Sequence, residues 1–370
     1  MRKAVVLYSP DLWQYGHGPQ HPMKPERLKR TFELLDWAGA LRADNVRVVE
    51  PRMATKNELA LFHTPEYIEI TQQLSNGEQN LPAENYGYGP GDNPVFLGMY
   101  DSEGLKAGSS LQAAQLLHEG ECDVAFSFGG GLHHGGPGFA SGFCVFNDCA
   151  VAIQWLINQG LRVAYVDIDV HHGDGVQNAF YQTDRVLTIS LHQDGRTLFP
   201  GTGFTDEIGE GEGFGYSVNI PLPPLTYDEA YLRAFKELVP PLLARFEPDI
   251  VVTQLGADTH YTDPLASLAL TTNGQQALYR LLGEMASKWL ALGGGGYAID
   301  VVPRSWALAF GEMSGQELPK SLPKAYRTAY GGRYLRDQQG PDLNDAIRFR
   351  VDEAVDAVTA EVKRASNLQS

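Results

Sequence analysis

The stretch Tyr165-Val-Asp167-Ile-Asp169-Val-His171-His172-Gly-Asp174-Gly decides how this chain is read. It closes the run Val163–Ile168, apolar at consecutive positions as a strand buried on both faces of a parallel sheet is. Asp167, Asp169 and His171 stand at i, i+2 and i+4, which on extended backbone places all three on one face. Two carboxylates and an imidazole on one face suggest a metal. Any one of these aspartates alone would read as a helix N-cap or a turn residue, but that does not account for the cluster.

Outward from it, the same arrangement recurs. Ser127-Phe-Gly-Gly-Gly-Leu-His133-His134-Gly-Gly-Pro follows a second strand-like run, Val124–Phe128. Ten histidines scattered at random through 370 residues would give well under one adjacent pair, and here there are two. Both pairs fall at carboxyl ends of strands, where open α/β sheets place their ligand crevice. Glycines on either side of His133 and His134 imply close backbone approach. With Asp167 and Asp174 at hand, the two rings suggest His–Asp pairs in which the carboxylate fixes the tautomer and raises ring basicity. A third strand end, Gln254-Leu-Gly-Ala-Asp258, adds a carboxylate to Asp169 and His171. Three protein ligands with an open position are the arrangement of a catalytic zinc site, and Fe(II) suits the same donors. Leu292-Gly-Gly-Gly-Gly-Tyr297 delivers a phenol that can donate to a developing oxyanion. No GxxxxGK[ST] or strand-linked GxGxxG accompanies it, so nucleotide binding is not indicated.

Strand-like runs at Ala4–Tyr8, Val46–Val49, Val186–Leu191, Ile250–Leu255 and Trp289–Leu292 join the two above. Helical patterns at Lys24–Trp37, Pro65–Leu74, Leu105–His118, Ala150–Asn158, Tyr227–Phe246, Asn273–Ser287 and Val302–Gly315 alternate with them. The alternation predicts an α/β fold, one parallel sheet with helices on both faces. With no repeat or low-complexity linker, residues 1–370 read as a single domain, with a core over about residues 5–315 and an extension over 316–370. In that extension Leu343, Ile347, Val351, Val355, Val358 and Val362 recur at helical spacing, predicting an amphipathic helix packed on the domain. Ser75–Pro94 lacks periodicity and reads as a long functional loop. Lys plus Arg total 29 against 45 Asp plus Glu, a net charge of −16 that disfavours sequence-general nucleic-acid binding. No apolar run approaches the ~20 residues of a membrane helix. Three cysteines without disulfide or CxxC spacing, and no signal-peptide core, lead us to expect a cytoplasmic protein.

Taken together, His21-Pro-Met-Lys-Pro-Glu-Arg27, Asp92-Asn-Pro, Gly130-Gly-Leu-His-His134, Gly142-Phe-Cys-Val-Phe-Asn-Asp148, Asp167 to Val176, Phe199-Pro-Gly-Thr-Gly203, Gly256-Ala-Asp258 and Gly293 to Tyr297 resemble the histone deacetylase family. The resemblance is to its class I branch together with the bacterial acetoin utilisation proteins, and it runs from about Val5 to Phe310. It implies an arginase-like α/β fold with an eight-stranded, mostly parallel sheet and a tubular pocket ending at one zinc ion. Asp169, His171 and Asp258 match the zinc ligands. His134, paired with Asp174, matches the general base and acid, and His133, paired with Asp167, its electrostatic partner. Tyr297 matches the residue that polarises the scissile carbonyl. Gly142, Phe143 and Phe199 match the tunnel wall, Leu265 its rim, Asp92 the residue that holds substrate backbone, and Arg27 a residue near the acetate exit. For K⁺ or Na⁺, Asp167, Asp169, His171, Ser190 and Leu191 match an inner site, and Phe180, Thr183, Val186 and Tyr216 an outer one.

The resemblance implies zinc-dependent hydrolysis of Nε-acetyl-lysine, or another Nε-acyl-lysine, in a protein or peptide. Acetylpolyamines or other small acylated amines are the alternative substrates, and longer acyl chains a further one. Arginase-type chemistry with two manganese ions would need two close aspartates where Gly256-Ala-Asp258 has one. An inactive acyl-lysine reader is disfavoured because His134, Tyr297 and all three ligands are present. After Leu265 the chain reads Ala-Ser-Leu-Ala-Leu-Thr-Thr, without the cations by which some eukaryotic relatives bind inositol phosphate.

Overall fold

Apolar, β-branched runs too short to build helices form the sheet. In the computed structural model, which describes residues 1–368, the strands are β1 (Ala4–Leu7), β2 (Val46–Val49), β3 (Val124–Ser127), β4 (Val163–Asp167), β5 (Val186–Gln193), β6 (Ser217–Leu222), β7 (Ile250–Gln254) and β8 (Trp289–Leu292). They form one sheet in the order β2-β1-β3-β8-β7-β4-β5-β6, with every pairing parallel. The helices are α1 (Glu26–Trp37), α2 (Lys56–Leu59), α3 (Pro65–Ser75), α4 (Met99–His118), α5 (Asp148–Asn158), α6 (Asp174–Ala179), α7 (Asp228–Phe246), α8 (Thr272–Met285), α9 (Val302–Ser314), α10 (Lys324–Tyr330) and α11 (Asp345–Ala365).

Alternation along each strand splits the core into two layers. Val6, Phe126, Val166 and Ile189 pack with residues of α1, α7, α8 and α9. Val5, Ala125, Tyr165 and Leu290 pack on the other face with Ala113 and Leu117 of α4 and Ile153 and Leu156 of α5. Both faces are covered, which is why the strands read as continuous apolar runs. The four adjacent central strands β3, β8, β7 and β4 are the ones whose carboxyl ends lead into the His133–His134, Gly293–Tyr297, Asp258 and Asp169–His171 segments.

The seven strands read from the residues are all present, and the eighth that the resemblance implies is β6. It escaped the residue reading because it contains Pro221. Proline cannot donate to a ladder and is confined to sheet edges, and β6 is an edge strand. The short helices α2, α6 and α10 also went unread, since one or two turns carry no measurable periodicity. Of the terminal stripe, Ile347 to Val362 fall in α11, which packs against α7 and β6 with Val351, Val355 and Val362 buried, while Leu343 precedes the helix. Arg233 of α7 pairs with Asp352 and Asp356 on its flank. No helix among the described residues is long and apolar enough to cross a membrane.

Val355 is fully buried beneath α11 whereas Phe349 on the same helix is 61% exposed. Val355→Ala should therefore lower stability by about 2 kcal/mol, from lost transfer free energy plus the residual cavity. Phe349→Ala should stay within about 0.5 kcal/mol of the wild type. Urea denaturation followed by circular dichroism compares the two.

Candidate active site

Beyond β4 the chain turns so that Asp169 and His171 face Asp258, which arrives from β7. Asp169 is braced through both oxygens. Its Oδ1 accepts the His171 amide N–H at 3.0 Å, and its Oδ2 accepts Gly295 N–H at 2.8 Å and Gln254 Nε2–H at 2.6 Å. Asp258 accepts Val170 N–H at 3.0 Å on Oδ1, while its Oδ2 is buried without a hydrogen-bond partner. His171 Nδ1 lies 3.0 Å from Asp169 Oδ1 and 3.4 Å from Asp258 Oδ2. One ligand atom from each of the three residues lies within 4.8 Å of the other two. Glycines make the space: a β-carbon on Gly295 would sit 1.9 Å from Asp258 Oδ2, and one on Gly256 2.2 Å from Asp169 Oδ2.

The electrostatics ask for a cation. Burial and the Asp169 charge push Asp258 up to about 7. Burial opposes a charged His171 ring, but the hydrogen bond to Asp169 and the nearby Asp258 carboxylate outweigh it and lift the ring to about 10. Two buried carboxylates thus draw positive charge inward, a proton in the chain alone and a metal ion when one is bound. An orphaned buried oxygen, two carboxylates and one imidazole fit a divalent ion with an open coordination position.

The histidine doublet closes one side of this site. His133 Nδ1–H donates to Asp167 Oδ2 at 2.7 Å, an oxygen that also accepts the Tyr165 hydroxyl at 2.7 Å. His134 Nδ1–H donates to Asp174 Oδ1 at 2.6 Å. The two rings are 4.0 Å apart, centre to centre, yet their environments diverge. Burial opposes charge on His133, but the Asp167 and Asp169 carboxylates overcome it and raise the ring to about 9. Burial, with the charge on His133, depresses His134 to about 4. The neutral ring with a free Nε2 is His134, the form a proton acceptor needs.

Aromatic rings form the approach. Gly142 at φ 51° and Phe143 at φ 70° both take left-handed backbone, which a phenylalanine adopts only when the surroundings enforce it. The Phe143 ring packs edge-on against Tyr297 at 5.7 Å, and Phe199 packs against His134 at 5.0 Å and His171 at 6.4 Å. A side chain on Gly142 would collide with His134 Cδ2 at 2.4 Å. Phe199 is 44% exposed, at the outer end. Tyr297 keeps its phenol protonated because burial raises it well above its ordinary value. Asp263 fixes this residue by accepting Tyr297 N–H at 2.7 Å, and accepts Leu265 N–H at 3.0 Å on its other oxygen. Arg27, buried beneath, donates to Gly296 O at 3.2 Å. Asp92 lies in an exposed loop, where its carbonyl receives His21 Nε2–H at 3.1 Å.

A model of the histone deacetylase domain matches residues 21–313. The chain belongs to the histone deacetylase family. It is similar to the acetoin utilization protein AcuC of Bacillus subtilis (strain 168), at 44% identity over 333 residues covering 87% of this chain and 85% of that protein. It is also similar to the histone deacetylase clr6 of Schizosaccharomyces pombe, at 35% identity over 364 residues, covering 98% of this chain and 88% of that one. The crystal structure of an HDAC homologue from Aquifex aeolicus superposes with a TM-score of 0.86 at 33% identity, covering 95% of this chain and all of that one. An HDAC homologue solved in complex with SAHA gives 0.87 at 32% identity, covering 96% and 100%. As a member of this deacetylase family the protein is a hydrolase, and the arginase/deacetylase-like fold is as expected, with the sheet wholly rather than mostly parallel.

The residues expected to hold monovalent cations fall in two places. Ser190 and Leu191 lie on β5, whose register sets Ser190 beside Asp167, close to Asp169 and His171. Phe180 ends α6, Thr183 follows it, Val186 begins β5, and the Tyr216 carbonyl accepts Thr188 N–H at 2.9 Å. Residue reasoning overlooked Gln254, Tyr165 and Asp263 as supports of the deacetylase site, although Gln254 and Tyr165 stood inside quoted motifs. Gln254 and Tyr165 are polar groups in largely apolar strands, whereas Asp263, among Thr259, His260 and Thr262, carries no such signal.

The Gly295 cradle yields a sharp expectation. Gly295→Ala would drive a β-carbon against Asp258 Oδ2, and divalent-ion affinity should fall by more than the ~10–100-fold that loss of an outer-shell partner gives. Isothermal titration of metal-stripped protein with zinc, with thermal denaturation to confirm folding, measures it.

Proposed function

We propose that this protein hydrolyses the amide of Nε-acetyl-lysine in proteins or peptides, releasing acetate and the free lysine. The observation that carries the reading is the meeting of a three-residue candidate ligand set with two oppositely tuned His–Asp pairs, flanked by the rings of Phe143 and Phe199. Asp169, His171 and Asp258 would hold zinc, or Fe(II) in the same donors, and that ion supplies Lewis acidity for the water and the acyl carbonyl. His134 Nε2 accepts the proton of the attacking water while Asp174 steadies the ring through Nδ1. The Tyr297 hydroxyl donates to the oxyanion that forms from the carbonyl. His134 then returns its proton to the lysine nitrogen as the C–N bond breaks, so one amide and one water give one carboxylic acid and one amine. His133, drawn toward its protonated form by Asp167, favours negative charge developing beside it.

Rings on two sides suit the apolar four-carbon stem of lysine. Asp92 in its exposed loop would accept backbone N–H groups of a peptide, and Leu265 would border the entrance. Arg27, buried beside Gly296, would meet released acetate. Potassium or sodium at the two monovalent positions would screen the carboxylates behind the metal.

Tyr297→Phe removes one oxyanion donor and nothing else in size. Its kcat toward an acetyl-lysine peptide should drop about 10²–10³-fold, with KM within a few-fold of the wild type. Steady-state acetate release checks this, and faster turnover of an acetylpolyamine than of any acetyl-lysine peptide by the wild type would overturn the substrate assignment.

A further inference from the structure

Asn147 and Asp148 open α5, are completely buried, and play no part in the chemistry described above. Asp148 Oδ1 accepts Leu132 N–H at 2.7 Å, and its Oδ2 accepts Gly131 N–H at 2.9 Å and the Ser110 hydroxyl at 2.5 Å. Asn147 Nδ2–H groups donate to Gly135 O at 2.9 Å and His133 O at 3.2 Å. Two amides before the histidine doublet and two carbonyls at and after it are therefore held by adjacent side chains of one helix end. Asp174's side of the pair is referenced to the same point. A β-carbon on Gly175 would lie 2.8 Å from Asn147 Nδ2 and 2.6 Å from His133 O, and one on Gly130 2.2 Å from Asp148 Oδ2.

Helix capping does not account for this. The cap is the Asn147 Oδ1 acceptor for Ala150 N–H at 2.9 Å, which leaves the Nδ2 group over. Asp148 is a carboxylate buried among a hydroxyl and two amides, a costly arrangement unless what it holds requires it. We propose that Asn147 and Asp148 are positioning residues that set His133 and His134 at catalytic register, acting on deacetylation through those rings and not on substrate. The inference rests on His134 as the proton carrier. In mechanism it is a matter of orientation: displacing a reacting group by a fraction of an ångström to 1 Å lowers the rate by up to about 10²-fold while leaving binding of the stem intact.

Asn147→Ser tests it, because serine caps a helix as well as asparagine does but its single, shorter hydroxyl cannot donate to both loop carbonyls. Ile153→Ala, which opens a cavity in the same helix away from the loop, serves as a variant of matched instability. In zinc-loaded full-length protein, Asn147→Ser should lower kcat on an acetyl-lysine peptide about 10-fold to 10²-fold with KM within about twofold, zinc still at one equivalent. The low-field proton resonance of the His134–Asp174 hydrogen bond should shift or broaden in Asn147→Ser and stay in place in Ile153→Ala. Equal kcat and equal resonance in the two variants would overturn the proposal. The resonance decides even if acetyl-lysine proves not to be the substrate, so failure of the substrate reading and failure of this one are told apart.

Discussion

Two carboxylates buried beside each other are the constraint on which this structure depends. Asp169 and Asp258 are wholly removed from solvent, and one Asp258 oxygen has no partner among the described residues. Charges so placed are unfavourable unless matched, and everything nearby is arranged to match them or to let them approach. Gly256 and Gly295 stand where any side chain would collide with a carboxylate oxygen. The Gly295 and Val170 amides and the Gln254 side chain turn donors inward. His171 contributes the positive charge in the chain alone. The sheet makes the meeting reachable, since the ligand and histidine segments leave four neighbouring strands at their carboxyl ends.

The same field divides the labour of the histidine doublet. Adjacent residues with nearly identical burial end at about 9 and about 4 because one ring lies against Asp167 and Asp169 and the other beside that charged ring. Such opposed tuning of neighbours sets a positively charged ring beside a neutral one that can accept a proton. The strained backbone at Phe143 belongs to the same economy of space: with Gly142 unable to carry a side chain, the next residue sets its ring edge-on to Tyr297.

Most of the site was legible in the sequence because its logic is one of short spacing. The i, i+2, i+4 run from Asp167 to His171 and the two histidine doublets are local patterns, although β4 ends at Asp167 and the chain bends through Asp169 to His171 where extended backbone was expected; the structure pairs His133 with Asp167 and His134 with Asp174, the pairing that the family resemblance implied. Asp258, far away in sequence, was legible as a third candidate ligand only from its position just past a strand end. What escaped depends on partners that have no sequence signature. Asn147, Asp148 and Asp263 act on backbone amides and carbonyls, which every residue possesses. β6 was hidden by Pro221, a residue harmless only because the strand turned out to lie at an edge.

In the proposed mechanism Asp169, His171, Asp258 and His134 are parts of one device, the first three for the metal and the last for the proton. Zinc titration of metal-stripped protein, followed by acetate release from an acetyl-lysine peptide at each step, addresses that directly when His134→Ala is carried alongside. Turnover should rise linearly to one equivalent and then level, while His134→Ala binds the same equivalent with no comparable release. Full activity in metal-free protein, or equal turnover by folded, zinc-loaded His134→Ala, would contradict it.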